Sequence, residues 1–244
     1  ITSADDVSAA AATFLRMVQS AGTGTTSFSG AVNATNGGLS LTGTNFTFGS
    51  TVNTTSTSGL TVVATGALTL NGAVSLDGSL VFSGGGTVAI NADVTTTNDN
   101  ISITGNATIG DSVELSVGTG IIAFSGTLDM GANDVTFTGD EINFNGGADS
   151  VSGTGAIVLQ PATSGLTVNV GNSTNNANQL DLQIGDINAL ADGFSSITIG
   201  RATGAQTMNI SASLFKDPVT FRTGSGGTAT VAGALAGTGD ASFT

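Results

Sequence analysis

Cysteine, histidine, tryptophan and tyrosine are all absent from this 244-residue chain. Disulfide frameworks, thiol nucleophiles, imidazole bases and Cys/His metal sites are thereby excluded, and with them most familiar catalytic machinery. Basic side chains are almost as scarce. Arg16, Arg201, Lys216 and Arg222 stand against 17 Asp plus Glu, for a formal net charge of -13. Such a surface repels nucleic-acid phosphates and anionic lipid, so no nucleic-acid partner is expected. No apolar run approaches the roughly 18 to 20 residues of a membrane span, so no membrane-spanning segment is expected. The opening ITSADDVSAA lacks the basic start and apolar block of a signal peptide, which places any export signal outside this chain.

What is present is 37 Gly among 39% hydrophobic residues, with only 9% charged. The Val, Ile, Leu, Phe and Thr are spaced too regularly for a coil. The commonest unit is a triplet, apolar, small or polar, apolar: LSL, FTF, LTL, VSL, VAI, ISI, VEL, LDM, VTF, INF. Alternation with period two over so few residues marks a half-buried strand whose outer two side chains point inward. Gly, Asn, Asp, Ser and Thr separate the triplets and suit tight turns. Strands this short are unstable as isolated hairpins.

The triplets resolve into three series, each recurring about every 20 to 22 residues. One begins at Leu39, Leu60, Leu80, Ile101, Ile122 and Ile142; a second runs through Phe46, Leu68, Val88, Ala107 and Leu128; a third through Val52, Val74, Val94, Val113, Val135 and Ile157. The turns keep the same phase, with Thr42-Gly43, Ser83-Gly84, Thr104-Gly105, Ser125-Gly126 and Asn145-Gly146 after the first series. Three short strands per repeat at a fixed period are the signature of a solenoid. The predicted fold is all-β, a three-faced parallel β-helix with about 20 to 22 residues per coil. It is right-handed by the rule for parallel crossovers. Leu60, Leu80, Ile101, Ile122 and Ile142 are expected to stack in its core, with Phe46, Phe48, Phe82, Phe124, Phe137 and Phe144 adding bulk.

A single solenoid is expected over 1–244, with regular coils over 26–171. Residues 1–25 read as a first coil, in competition with a short helix from Asp5 to Gln19 favoured by Ala, Leu and Met. Residues 172–196 break the rhythm and read as an inserted loop with a helical turn at INALAD. Over 197–244, ITI, MNI, VTF and ATV mark less regular coils.

QSAGTGTTSFSGAVNAT, the repeated LTGT, FTGDEINFNGG and DGFSSITIGRATGAQTMNI resemble the repeat regions of very large bacterial exoproteins. These are the filamentous-haemagglutinin-like and beta-strand-repeat adhesins of cyanobacteria and other Gram-negative bacteria. The resemblance implies secretion, a right-handed β-helix shaft, an extracellular or cell-surface location, and a role in adhesion, surface layers or matrix fibres.

The stretch FSGTLDMGANDVTFTGDEINFNGG, residues 124–147, holds Asp129, Asp134, Asp140 and Glu141 without a basic residue. Asp129 reads as outward in mid-strand; the other three read as turn residues, whose short side chains hydrogen-bond nearby backbone amides. Asp93, Asp111 and Asp134 precede third-series strands in three consecutive coils, as Asp77 and Asp99 precede first-series strands. Stacked carboxylates repel unless they splay into water or a cation bridges them, so Asp93, Asp111 and Asp134 form a candidate calcium ladder. Apart from calcium, no cofactor is implied.

Three activities compete with a structural role. Parallel β-helices also host pectate lyases and polygalacturonases, whose chemistry needs convergent carboxylates, usually with a cation or Tyr to handle an acidic sugar. Here Glu114 and Asp129 fall on different series and no cation lies between residues 17 and 200, so catalysis is not expected. Binding of cell-surface polysaccharide remains an alternative. An ice-binding face would need an unbroken outward Thr ladder, but the second series reads Thr47, Thr69, Ala89, Thr108, Asp129. The closing GTGDASFT still alternates like a strand. The expected role is therefore a shaft segment that continues end to end, into further coils of a longer chain or into copies of itself.

Overall fold

A triplet strand can bury its two inward side chains only if the next coil lays another triplet beside it, and the chain does this throughout. In the computed structural model, which describes residues 6–244, about 11 turns stack as a parallel β-solenoid. Its faces are built on sheets of seven, eight and ten strands. The first face pairs Leu39, Leu60, Leu80, Ile101, Ile122 and Ile142 in succession. The second pairs Phe46, Leu68, Val88, Ala107 and Leu128. Both series match the sequence expectation residue for residue.

The third face departs from it once. Val52, Val74 and Val94 pair as expected, but Val94 is then beside Leu115 rather than Val113. Val113 pairs onward with Val135, and Val135 with Ile157. A slip of two residues leaves every side chain on its own face, so period-two alternation cannot detect it.

The core is continuous. Ile101, Ile122 and Ile142 are fully buried, as are Phe46, Phe48 and Phe82. Phe28 and Phe48 stack with ring centroids 5.2 Å apart, and Phe137 meets both Phe124 and Phe144 edge to face. Three of the first-series turn glycines have a common steric reason. A Cβ at Gly105, Gly126 or Gly146 would lie 2.3, 2.5 or 2.4 Å from the carbonyl oxygen of a glycine one coil below: Gly86, Gly105 and Gly126 respectively. Successive coils touch there through bare backbone.

The flanking segments resolve two expectations. Residues after Asp5, which itself lies outside the described residues, form the strands Val7–Ala9, Ala12–Phe14 and Met17–Gln19, not a helix. Met17 and Gln19 point inward and pair with Leu39 and Leu41, so cross-coil pairing overrides the helix propensity of the Ala-rich stretch. Residues 172–196 are more than a loop: they contain the strand Gln179–Gln183 and the helix Ile184–Ala189, which begins three residues before INALAD. Strand Thr167–Asn172 is laid down first, one level ahead. Residues 173–178 then carry the chain back, and Gln179–Gln183 fills the gap between Thr167–Asn172 and Glu141–Phe144. The third face continues unbroken past this detour, Ile157 pairing with Ile197 and Ile197 with Val219.

Candidate functional site

The returning segment 173–178 makes an irregular surface that combines a cleft with buried charge. Strand Gln179–Gln183 alternates in the ordinary way, Leu180 and Leu182 inward and Asp181 outward. The outward side is roofed by the Asn-rich return, so Asp181 is nonetheless fully buried. Its Oδ1 accepts from the side-chain amides of Asn169 at 2.6 Å and Asn172 at 2.8 Å; its Oδ2 accepts from the backbone N–H and side-chain amide of Asn176. A buried carboxylate held by several donors is satisfied without a counter-cation.

Glu141 lies beside it. The sequence suggests a turn residue, whereas Glu141 begins the strand Glu141–Phe144, pairs with Ile121, and is only 8% exposed. Its Oε1 accepts from the Asn175 amide at 2.9 Å. Burial pushes its carboxyl up to about 7, and the Asp181 and Asp186 charges add to the rise; donors from Asp181 N–H and Asn143 oppose it. Asp186, in the helix Ile184–Ala189, accepts from Phe144 N at 2.7 Å and Gln183 N at 2.8 Å. Burial raises it to about 6 against those hydrogen bonds. Asp186 thus ties the helix start to the strand that carries Glu141.

Against this acidic floor opens a cleft of about 500 Å³, lined by Thr119, Ile121, Asp140, Glu141, Leu166 and Asn176 among others. Asp140 is anchored by the backbone N–H of Thr163 at 2.8 Å and by the Thr163 hydroxyl. The lining offers amide donors, carboxyl acceptors and three apolar side chains. Such a set can hydrogen-bond a neutral polyhydroxylated ligand, and Glu141 can hold or release a proton near neutrality.

The aspartates singled out from the sequence do something different. The two-residue slip brings Asp93 opposite Glu114 and moves Asp111 out of line with it. Asp93 Oδ1 accepts from Glu114 N at 2.8 Å, Asp111 Oδ1 from Ser112 N at 2.8 Å, and Asp134 Oδ1 from Ala156 N at 2.7 Å. Each serves as a turn acceptor for a backbone amide, as Asn98, Asn100 and Asn106 do for Thr119, Ile121 and Thr127. Glu114 and Asp129 lie on different sheets, as expected. Among the described residues, the acidic side chains whose oxygens all come within 4.8 Å of one another are instead Asp192, Asp217 and Asp240.

Sequence reasoning passed over Glu141, Asp181 and Asp186 as a group because 40 residues separate Glu141 from Asp181, two coils in a chain read one coil at a time. The available signal was the run NSTNNANQ, whose amides are the donors a buried carboxylate needs. No helix of the described residues is long and apolar enough to cross a membrane. Comparison with protein-family models, curated proteins and solved structures finds no match for the chain.

Proposed function

We propose that this protein is a structural element: a β-solenoid shaft segment of an extracellular bacterial fibre, surface layer or adhesin. The observation that carries the reading is continuity. One apolar core runs from Met17 to Val219, and one parallel sheet of ten strands follows it to Val219–Phe221, with hydrogen-bonded neighbours spaced about 4.8 Å apart. A stack of this kind spaces its ends and resists bending.

A further feature favours axial assembly. Strand Thr228–Val231 pairs on one side with Thr207–Ile210 and exposes all four of its residues. Val231 is 57% exposed and Phe243 38%. An open parallel edge beside exposed apolar side chains is a template for another coil. Two of the four cation side chains, meanwhile, are occupied in fastening turns: Arg201 binds the Pro161 and Ala162 carbonyls, and Arg222 that of Gly200. Surface labelling tests the location. An antibody against the chain should decorate filaments on intact cells; signal only after permeabilisation contradicts the reading.

The cleft over Glu141 favours a second reading, recognition of a neutral polysaccharide by the shaft. Glycan-array binding that is lost in Asn176→Ala would support it, and a blank array would remove it.

A further inference from the structure

Three aspartates from three successive levels of the solenoid converge near its last coils. Asp192 follows the bridge at Leu190, Asp217 precedes strand Val219–Phe221, and Asp240 precedes Phe243, which bridges to Val219. One carboxylate oxygen from each lies within 4.8 Å of the other two. Lys216 is adjacent in sequence, but its ammonium pairs with Asp149. Three like charges this close, in a chain of net charge -13, repel one another unless a proton or a cation intervenes.

The second observation concerns Asp217 alone. It is 1% exposed. Its Oδ1 accepts from Gly193 N at 2.8 Å, whereas its Oδ2 is buried without any hydrogen-bond partner. A buried carboxylate oxygen left unpaired is costly, and native structures give such atoms a partner or an ion. Asp192 and Asp240 are exposed. The group therefore has one buried anionic floor and two walls open to water.

The geometry points to a divalent-cation site, selective for calcium, formed by Asp192, Asp217 and Asp240. All three offered ligands are carboxylate oxygens, the donors of hard cations. Calcium tolerates irregular geometry and completes six to eight ligands with water, whereas magnesium demands a near-ideal octahedron. A bound ion would clamp the 238–241 segment, which follows strand Leu235–Gly237, to two earlier coils. This site is independent of the shaft reading.

Calorimetric titration and thermal unfolding of the whole chain test it. Calcium should bind with a dissociation constant on the order of 10⁻⁴ to 10⁻³ M. At about 10 mM it should raise the melting temperature by roughly 3 to 10 °C, magnesium distinctly less. Asp240→Asn and Asp192→Asn should each weaken binding tenfold or more and remove most of the shift. In chelator neither variant should melt below the parent, because each relieves repulsion between exposed groups. Asp111→Asn should leave the shift intact. Absence of binding to the parent chain overturns the assignment, as does a shift unchanged in both Asp192→Asn and Asp240→Asn, or one lost in Asp111→Asn. An equal shift with magnesium overturns the selectivity for calcium.

Discussion

Asp93 Oδ1 accepts a 2.8 Å hydrogen bond from the backbone N–H of Glu114, one coil further along the solenoid. At a turn the strand ladder has run out, and a side-chain oxygen takes the place of the missing carbonyl. Asp134 does the same for Ala156 and Asp140 for Thr163. Asp93→Ala should therefore cost about 1 to 2 kcal/mol, and Asp93→Asn, which keeps the oxygen, much less. Urea unfolding of the two variants checks this; equal losses would mean that charge, not the acceptor, matters.

The glycine ladder gives a steric prediction. A Cβ at Gly126 would stand 2.5 Å from Gly105 O and 2.7 Å from Asn106 Oδ1. Gly126→Ala must push two coils apart and should destabilise by about 1 to 3 kcal/mol, the usual cost of overpacking. Gly147→Ala is no clean control, because Gly147 has a positive φ of 92°. Gly185, in the helix with open space around it, should gain slightly from Ala. A loss at Gly185 comparable with that at Gly126 would contradict the steric account.

Core and surface should separate cleanly within a single strand. Ile101 is fully buried between Leu80 and Ile122, while its neighbour Ser102 faces outward. Ile101→Ala should lower stability by about 2 to 5 kcal/mol through lost burial and a cavity. Ser102→Thr should change it by less than about 0.5 kcal/mol. Equal shifts in melting temperature would invert the assignment of faces.

The acidic floor under the cleft makes stability depend on pH. Glu141 rises from 4.5 to about 7 and Asp186 from 3.8 to about 6. The folded chain therefore keeps protons that the unfolded chain has already released between about pH 4 and 7. The contribution of these groups falls as pH rises through that window and is most unfavourable above it. Glu141→Gln stays neutral and should be more stable than the parent at pH 8, with a smaller gap at pH 5. Parallel melting curves for parent and variant across that range would show that Glu141 does not titrate in this way.

Which parts of the fold were legible follows from what periodicity measures. Leu80, Ile101 and Ile122 recur at a constant interval because each must meet the one below, so two of the three faces are readable to the residue. Val113 was assigned two places too far along the third face because a two-residue slip preserves the inward side. Periodicity also carries no information about a detour. The reversal that sets Gln179–Gln183 between older strands joins Glu141 to Asp181, and the Asp192, Asp217 and Asp240 convergence depends on coil lengths that vary after it.

As an axial building block, the solenoid has a definite length. About 11 coils at roughly 4.8 Å each make a unit near 53 Å long. Electron microscopy of the native material, with the chain marked by antibody, measures this directly. Rods of uniform width that extend well beyond 53 Å, with the label repeating along them, are the predicted result. Isolated particles no longer than about 53 Å would contradict it.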